Sequence, residues 1–316
     1  MPRKKSTGAR RPMSQATRDK IAASLKQKGE ILQGGWGSPS REGIPASPTG
    51  AKDLEIVQMR NQVFHPDLFV PMPTGKPIDS LFSVHGGIPK ATNYIIVGDP
   101  GVGKSTVAMD LVGDLVRGGY RCLFISAEMT RIDLHLYVKR FPKFGIIDTL
   151  FLGEYLDNNP LQILESSLEP GYDVVLIDSF VEAQEIVKES GRMTSKEAER
   201  WLIEQFLKHN MGENTAQKNT TFLIIQQVTK GGVFLGSNKL KHNTTGMMEL
   251  RFDEDNPDLT WISFSKNRRG PINQRLYFDL SLGGDVIYSG TVTAETSESP
   301  FDAILREGPA KNPFGV

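Results

Sequence analysis

The sequence predicts an α/β fold in which a mostly parallel, twisted sheet carries helices on both faces and antiparallel strands at one edge. Three observations predict it. Short apolar runs at residues 94–97, 122–125, 174–177 and 222–225 alternate with helical patterns, as strands buried on both faces do. A glycine-rich turn, GDPGVGKST at 98–106, closes the first run and opens an amphipathic segment. After the fourth run the pattern changes to short β segments with turn signals near 247–252, 261–266 and 275–278, which suggests antiparallel additions.

Residues 1–28 read as a basic arm and a short helix. Arg3, Lys4, Lys5, Arg10 and Arg11 come with no acidic residue through position 13, and Ser14 can cap a helix with Ile21, Ala22 and Leu25 on one side. Residues 29–51 turn to Gly, Pro and Ser and form a linker expected to be disordered. Residues 52–66 are expected to form a linker helix with Leu54 and Val57 on one face. The folded domain is expected over 67–290. Within it, Val107, Ala108, Leu111, Val112, Leu115 and Val116 make one apolar stripe, and Gly118 and Gly119 stop the helix. Residues 291–316 return to Pro, Gly, Ser and charge and are expected to be a disordered tail; its Phe301, Ile304 and Leu305 are either a docking motif or an unstructured end.

A chain of 316 residues suits one large core with extensions. Its formal net charge of zero announces no nucleic-acid partner, so any such role rests on local clusters. The single cysteine, Cys122, sits in an apolar run as a buried strand residue; it excludes a disulfide framework and suits a reducing compartment. No apolar run reaches the about 18–20 residues that span a bilayer, so a soluble protein without a membrane partner is expected.

The turn has the form GxxxxGK[ST] between a strand and a helix, the pattern of a phosphate-binding loop. Gly98, Asp99, Pro100, Gly101, Val102 and Gly103 would curl backbone N–H groups around the phosphates of ATP, with Thr106 closing the motif. Lys104 would reach the β and γ phosphates, and Ser105 would offer its hydroxyl to Mg²⁺. Asp178 ends the run YDVVLID at the carboxyl edge of the sheet, where a Mg²⁺ ligand belongs. Glu128 follows CLFISAE at the same edge and can orient or deprotonate the attacking water. Gln226 and Gln227 close the run TFLII; alternation turns one toward the γ-phosphate and the other away, and Gln227 is the candidate.

With these residues the chain resembles the RecA/RadA/DnaB group of DNA-dependent ATPases, most closely the ATPase core of bacterial RadA (Sms). The resemblance covers about residues 71–284, through GGIPKATNYIIVGDPGVGKST, GGYRCLFISAEMT, YDVVLIDS, QQVTKGG and SKNRRGPINQRLYFDL. It implies a RecA-like P-loop NTPase core using ATP and Mg²⁺, with Glu128 as the catalytic glutamate and Gln227 as the γ-phosphate sensor. KNRRG is similar to the KNRFG signature of RadA, with Arg269 in place of Phe. Lys266 and Arg268 then match cations inserted into a neighbouring subunit's site, which implies a homo-oligomer, a ring, expected to be a hexamer, or a filament; two cations on a solvated strand is the plain alternative. The zinc finger and protease-like domain of RadA and the collar of replicative helicases are expected to be missing, as in a minimal or phage-encoded relative.

Residues 228–246 carry Lys230, Lys239, Lys241 and His242 and no acidic residue up to the strand that follows. In the resembling group this is a mobile loop along the DNA path, and a flexible basic loop suits a single-stranded phosphate backbone. A first such loop is expected within 181–195, where Lys188 and Arg192 are offset by Glu182, Glu185 and Glu189. The expected function is an ATP-driven DNA motor, helicase, branch-migration or strand-exchange protein in recombination, repair or replication, with replication or recombination proteins as partners through the tails. A bacterial or phage-infected cytoplasm is the expected compartment, with the mitochondrial matrix as alternative if the Arg-rich arm is a presequence. A KaiC-like regulatory ATPase acting on protein partners is the competing reading, and the basic loop with KNRRG favours DNA.

Overall fold

The computed structural model describes residues 57–227, 238–283 and 285–293. The basic arm, the linker, residues 228–237 with Lys230, and the chain beyond 293 lie outside the described residues.

Nine strands form one sheet in the order β3-β2-β4-β5-β1-β6-β7-β8-β9. The strands are β1 (Asn93–Gly98), β2 (Cys122–Ser126), β3 (Asp148–Phe151), β4 (Val174–Asp178), β5 (Thr221–Ile225), β6 (Gly246–Phe252), β7 (Thr260–Asn267), β8 (Gln274–Leu280) and β9 (Val286–Thr293). The first six pair in parallel and the last three are antiparallel. Two departures from expectation concern the ends of this sheet. Residues 247–252, expected as an antiparallel addition, run parallel to β1, because the chain from β5 crosses from the carboxyl edge back to the amino edge before β6 begins. The strands β3 and β9 had no apolar run to announce them: β3 is a four-residue, half-exposed edge strand, and β9 extends to Thr293, past position 290 where the domain was expected to end.

The helices are α1 (Asp79–Phe82), α2 (Lys104–Arg117), α3 (Arg131–Arg140), α4 (Pro160–Leu168), α5 (Phe180–Gly191), α6 (Ser195–Asn210) and α7 (Asn238–Asn243). On one face of the sheet the predicted stripe of α2 packs Val107, Leu111 and Leu115 against Phe124, Leu176 and Leu223. On the other, Phe180, Val187, Leu202 and Phe206 of α5 and α6 cover Val175, Ile177, Phe222 and Ile224. Each such side chain contributes about 1.5–3 kcal/mol by leaving water, so both faces hold the carboxyl edge of the sheet rigid. Residues 181–195 are not the loop expected there. Most of them form α5, because Phe180, Ala183 and Val187 recur at helical spacing and are buried; Arg192 then ends the helix in the left-handed region (φ 50).

The described part of the expected helix over 52–66 is only a 3₁₀ turn, Met59–Asn61, with no buried residue. Val57 and Val63 stay exposed there, and a short helix without packing is marginal in water. Cys122 is buried, as expected.

Beneath α2 lies a paired charge cluster. Lys143 reaches Asp110 at 2.6 Å and Asp114 at 2.5 Å, and Lys76 reaches Asp114 at 2.9 Å and also Asp110. Asp110 is fully buried. The Lys76 ammonium is opposed by burial, yet its bonds to Asp110 and Asp114 raise its pKa above the usual lysine value.

Candidate nucleotide site

β1 ends at Gly98 on the carboxyl edge and α2 starts at Lys104, so the six intervening bonds of chain form the turn. Two of its glycines answer to close approach. A Cβ on Gly98 would lie 2.2 Å from the Leu250 carbonyl oxygen of β6, and one on Gly103 (φ +97) would lie 2.8 Å from Cδ1 of Leu280 in β8. The turn is thus pressed between its own helix and two strands from the far end of the domain.

Lys104 Nζ donates to the carbonyls of Gly98 and Asp99, 3.0 Å each. Ser105 Oγ donates to Asp178 Oδ2 at 2.6 Å, joining the first turn of α2 to the end of β4. Thr106 shares a hydrogen bond with the Tyr137 hydroxyl of α3. Lys104, Ser105, Glu128, Asp178 and Gln227 line, with the loop backbone, one cavity of about 370 Å³. Gln226 is fully buried outside that lining. The sequence therefore brought five side chains from four separate segments to one place.

The electrostatics of the cavity are unbalanced. Burial pushes the Asp178 carboxyl up to about 6; the Ser105 hydroxyl and the Lys104 charge pull it down, and Glu128 adds to the rise. Burial also lowers the Lys104 pKa, opposed by Asp178, Asp99 and Glu128 and helped by Arg251. A cation or phosphate placed here would meet charges that are only partly matched.

Arg251 escaped the sequence reading. Its Nη1 donates to Asp99 Oδ1 at 2.8 Å, and the Phe252 N–H reaches the other carboxylate oxygen at 3.4 Å, so β6 grips the second residue of the turn. No local pattern marks such a pair, since the two residues are 152 positions apart.

Lys266 and Arg268 lie elsewhere. Register places Lys266 opposite Met247, and Gly246 opposite Tyr94, at the amino edge of the parallel strands, whereas the phosphate loop follows Gly98 at the carboxyl edge. Lys266 Nζ donates to the Lys241 and His242 carbonyls at 2.6 and 3.2 Å, and Arg268 Nη2 to the His242 carbonyl at 3.2 Å. Burial, with the charges of Arg268 and Lys241, lowers the Lys266 pKa. Among the described residues no carboxylate pairs with these three cations. Lys241 and His242 are exposed on α7 and Lys239 belongs to the same helix.

The family described as "ATPase: KaiC" matches residues 72–168. The DNA repair protein RadA of Rickettsia bellii is 25% identical over 270 residues, covering 83% of this chain and 56% of that protein. RadA of Mycobacterium tuberculosis is 26% identical over 261 residues, covering 79% and 51%. Protein RecA of Paramagnetospirillum magnetotacticum is 26% identical over 224 residues, covering 65% and 63%. The chain thus spans about half the length of the RadA relatives it matches. Among solved structures, the KaiC-like protein PH0186 of Pyrococcus horikoshii OT3 superposes with a TM-score of 0.54 at 16% identity, over 70% of this chain and 99% of that one, a likeness of fold.

Proposed function

We propose that this chain, a RecA-fold ATPase of the RecA/RadA superfamily, is an ATP-driven motor on DNA that works as a homo-oligomer. The observation that carries this reading is the placement of Lys266 and Arg268. Among the described residues no carboxylate neutralises them, and they stand at the sheet edge opposite their own phosphate loop, so a role in hydrolysis requires a neighbour's nucleotide. A guanidinium supplied across a subunit boundary neutralises charge developing on the transferred phosphoryl and makes hydrolysis conditional on assembly.

Within one chain, Lys104 and the loop N–H groups hold the β and γ phosphates. Glu128 orients and deprotonates the attacking water, and Gln227 faces the γ-phosphate. Ser105 and Asp178 suit Mg²⁺: a hydroxyl and a carboxylate already 2.6 Å apart form a hard oxygen pair, and burial keeps the Asp178 carboxyl up at about 6 even with the Lys104 charge pulling it down, so a further cation there would be matched. Bound there, Mg²⁺ would neutralise phosphate charge. Residues 228–245 connect Gln227, at the carboxyl edge, to β6 at the amino edge; Lys241 and His242 are exposed on α7, to which Lys239 belongs. We assign that segment, with Lys230, to single-stranded DNA. Its carbonyls already hold Lys266 and Arg268, which gives DNA a direct mechanical hold on the trans-acting cations. The names of the RadA relatives support a role in DNA repair.

Mixing tests the trans assignment. Arg268→Ala and Lys104→Ala subunits should each be nearly inactive, yet mixed assemblies should regain turnover wherever an intact phosphate loop meets an intact arginine. An arginine finger is worth ~10³–10⁵ in rate, so a minority of restored sites rises above background. Turnover that never returns on mixing two assembling variants removes the assignment. Turnover of the wild type should also rise with single-stranded DNA.

A further inference from the structure

Glu128 lines the nucleotide cavity, yet its side chain makes no hydrogen bond or ion pair among the described residues, so its place depends on the backbone that carries it. That backbone is closed on both sides. Ser126 Oγ donates to the Met129 carbonyl at 2.8 Å and accepts from the Met129 N–H at 3.2 Å, and Thr130 forms a capping box with Asp133 at the start of α3. Glu128 therefore moves with α3. That helix is thinly held: Leu134 is its one buried residue, and Ile132 and Leu136 stay exposed. Its side chains make two hydrogen bonds to other elements among the described residues, Arg131 to Glu154 and Tyr137 to Thr106. The first is an exposed ion pair and holds little. The second is the better anchor. Thr106 is 7% exposed in the first turn of α2, directly after Lys104 and Ser105, and the Tyr137 ring is braced by Phe141 and Phe144 with centroids 4.9 and 5.7 Å away. Burial, with the Asp178 charge, raises the Tyr137 pKa against the Thr106 bond and the Arg140 charge, so the phenol stays neutral and either hydroxyl can donate.

We propose that Tyr137 is a positioning residue for ATP hydrolysis: its hydroxyl bond to Thr106 sets the spacing between the phosphate loop and the turn that carries Glu128. One end of the bond is fixed to the helix start that holds Lys104 on the loop carbonyls and Ser105 on Asp178. The other end is fixed, through α3 and its cap, to the carboxylate. Without the bond, α3 is free to tilt about Leu134, and Glu128 shifts against the terminal phosphate while the loop keeps its own contacts. Misplacing a reacting group by about 1 Å can cost ~10²-fold in rate. The proposal rests on the reading of Glu128 as the group that activates water.

Full-length Tyr137→Phe, Thr106→Val and the double variant test the tie, with turnover measured on ATP and Mg²⁺. Tyr137→Phe keeps the ring packing and should lower kcat by about 10–100-fold while the KM for ATP stays within about twofold. Thr106→Val should lower kcat at least as far, and the double variant no further than Thr106→Val, because the same bond is lost in all three. The decisive arm places Tyr137→Phe in a Glu128→Gln background. There it should change single-turnover hydrolysis by less than about twofold, since the carboxylate it places is gone, whereas a bond that only stabilised the fold would slow both backgrounds alike. The thermal midpoint of Tyr137→Phe should stay within roughly 4 °C of wild type. Were that variant to lose its fold, Thr106→Val carries the same comparison. A kcat of Tyr137→Phe equal to wild type, a loss seen in KM alone, or equal slowing in the two backgrounds would each overturn the proposal. Normal kcat in Glu128→Gln would sink the reading of Glu128 and the proposal with it; normal kcat in Tyr137→Phe beside a slowed Glu128→Gln removes the proposal alone.

Discussion

Midway along α2, Asp110 and Asp114 meet Lys76 and Lys143, two carboxylates against two ammonium groups at hydrogen-bonding distance. At the start of the same helix, Lys104 rests on its own loop's carbonyls, and Asp178 has a hydroxyl for a partner and a carboxyl raised to about 6. Both clusters are buried and both are built on one helix, but in the first each carboxylate meets two ammonium groups, whereas in the second Asp178 meets one hydroxyl and the Lys104 charge. A finished cluster stabilises and offers nothing to a ligand, while an unfinished one costs stability until the ligand arrives. The sequence uses the same residue types for both, so the difference lies in how many partners each charge was given.

The comparison can be broken by substitution. The largest effect is expected at the unfinished end: Glu128→Gln should leave ATP affinity intact and lower kcat by ~10²–10⁴, measured as steady-state turnover beside nucleotide binding. Lost affinity with normal kcat would move Glu128 off the attacking water. At the first cluster, Asp110→Ala leaves buried Lys143 and half-buried Lys76 to share Asp114 alone and should lower unfolding stability by about 3–5 kcal/mol in urea titrations. A loss under 1 kcal/mol would mean the cluster is far less desolvated than its geometry suggests. Asp178→Asn should act in opposite directions on the two properties. It removes a buried charge, raising stability near pH 7 by roughly 1–2 kcal/mol, and it should abolish turnover.

The smallest effect concerns His209, buried in α6 with both ring nitrogens unpartnered and its pKa lowered by burial, with Lys208 adding to the fall. The unfolded chain therefore takes the proton first as pH drops. Stability from the neutral ring is complete above about 6.5 and is lost below it. Between pH 7.5 and 5.5 the urea midpoint of the wild type should fall further than that of His209→Gln; parallel curves would assign the acid sensitivity to other groups.

The chain's phosphate loop and the strand-end residues Glu128, Asp178 and Gln227 were legible because each is announced locally, by glycine spacing or by an apolar run that stops at a polar residue. Alternation said only that Gln226 and Gln227 face opposite ways; the cavity lining takes Gln227. What stayed hidden was made by distance or by partial exposure. Arg251 meets Asp99 across 152 positions, β3 is a half-exposed edge strand, and Lys143 is a surface residue type until α2 folds over it. Residues 181–195 misled because the resemblance implies a loop there, whereas Phe180, Ala183 and Val187 bury one helical face. The parallel β6 was mistaken because periodicity carries no strand direction.

The central strand, β1, has as its neighbours β5 and β6, both of which lie in the second half of the chain. The turn after it is pressed by Leu250 and Leu280 and held by Arg251. During synthesis, the nine residues of the motif leave the ribosome long before anything that can shape them. Sequence-distant pairing of this kind slows folding. A truncated product ending before β6 would carry the full signature of a phosphate loop without the strands that press and hold it.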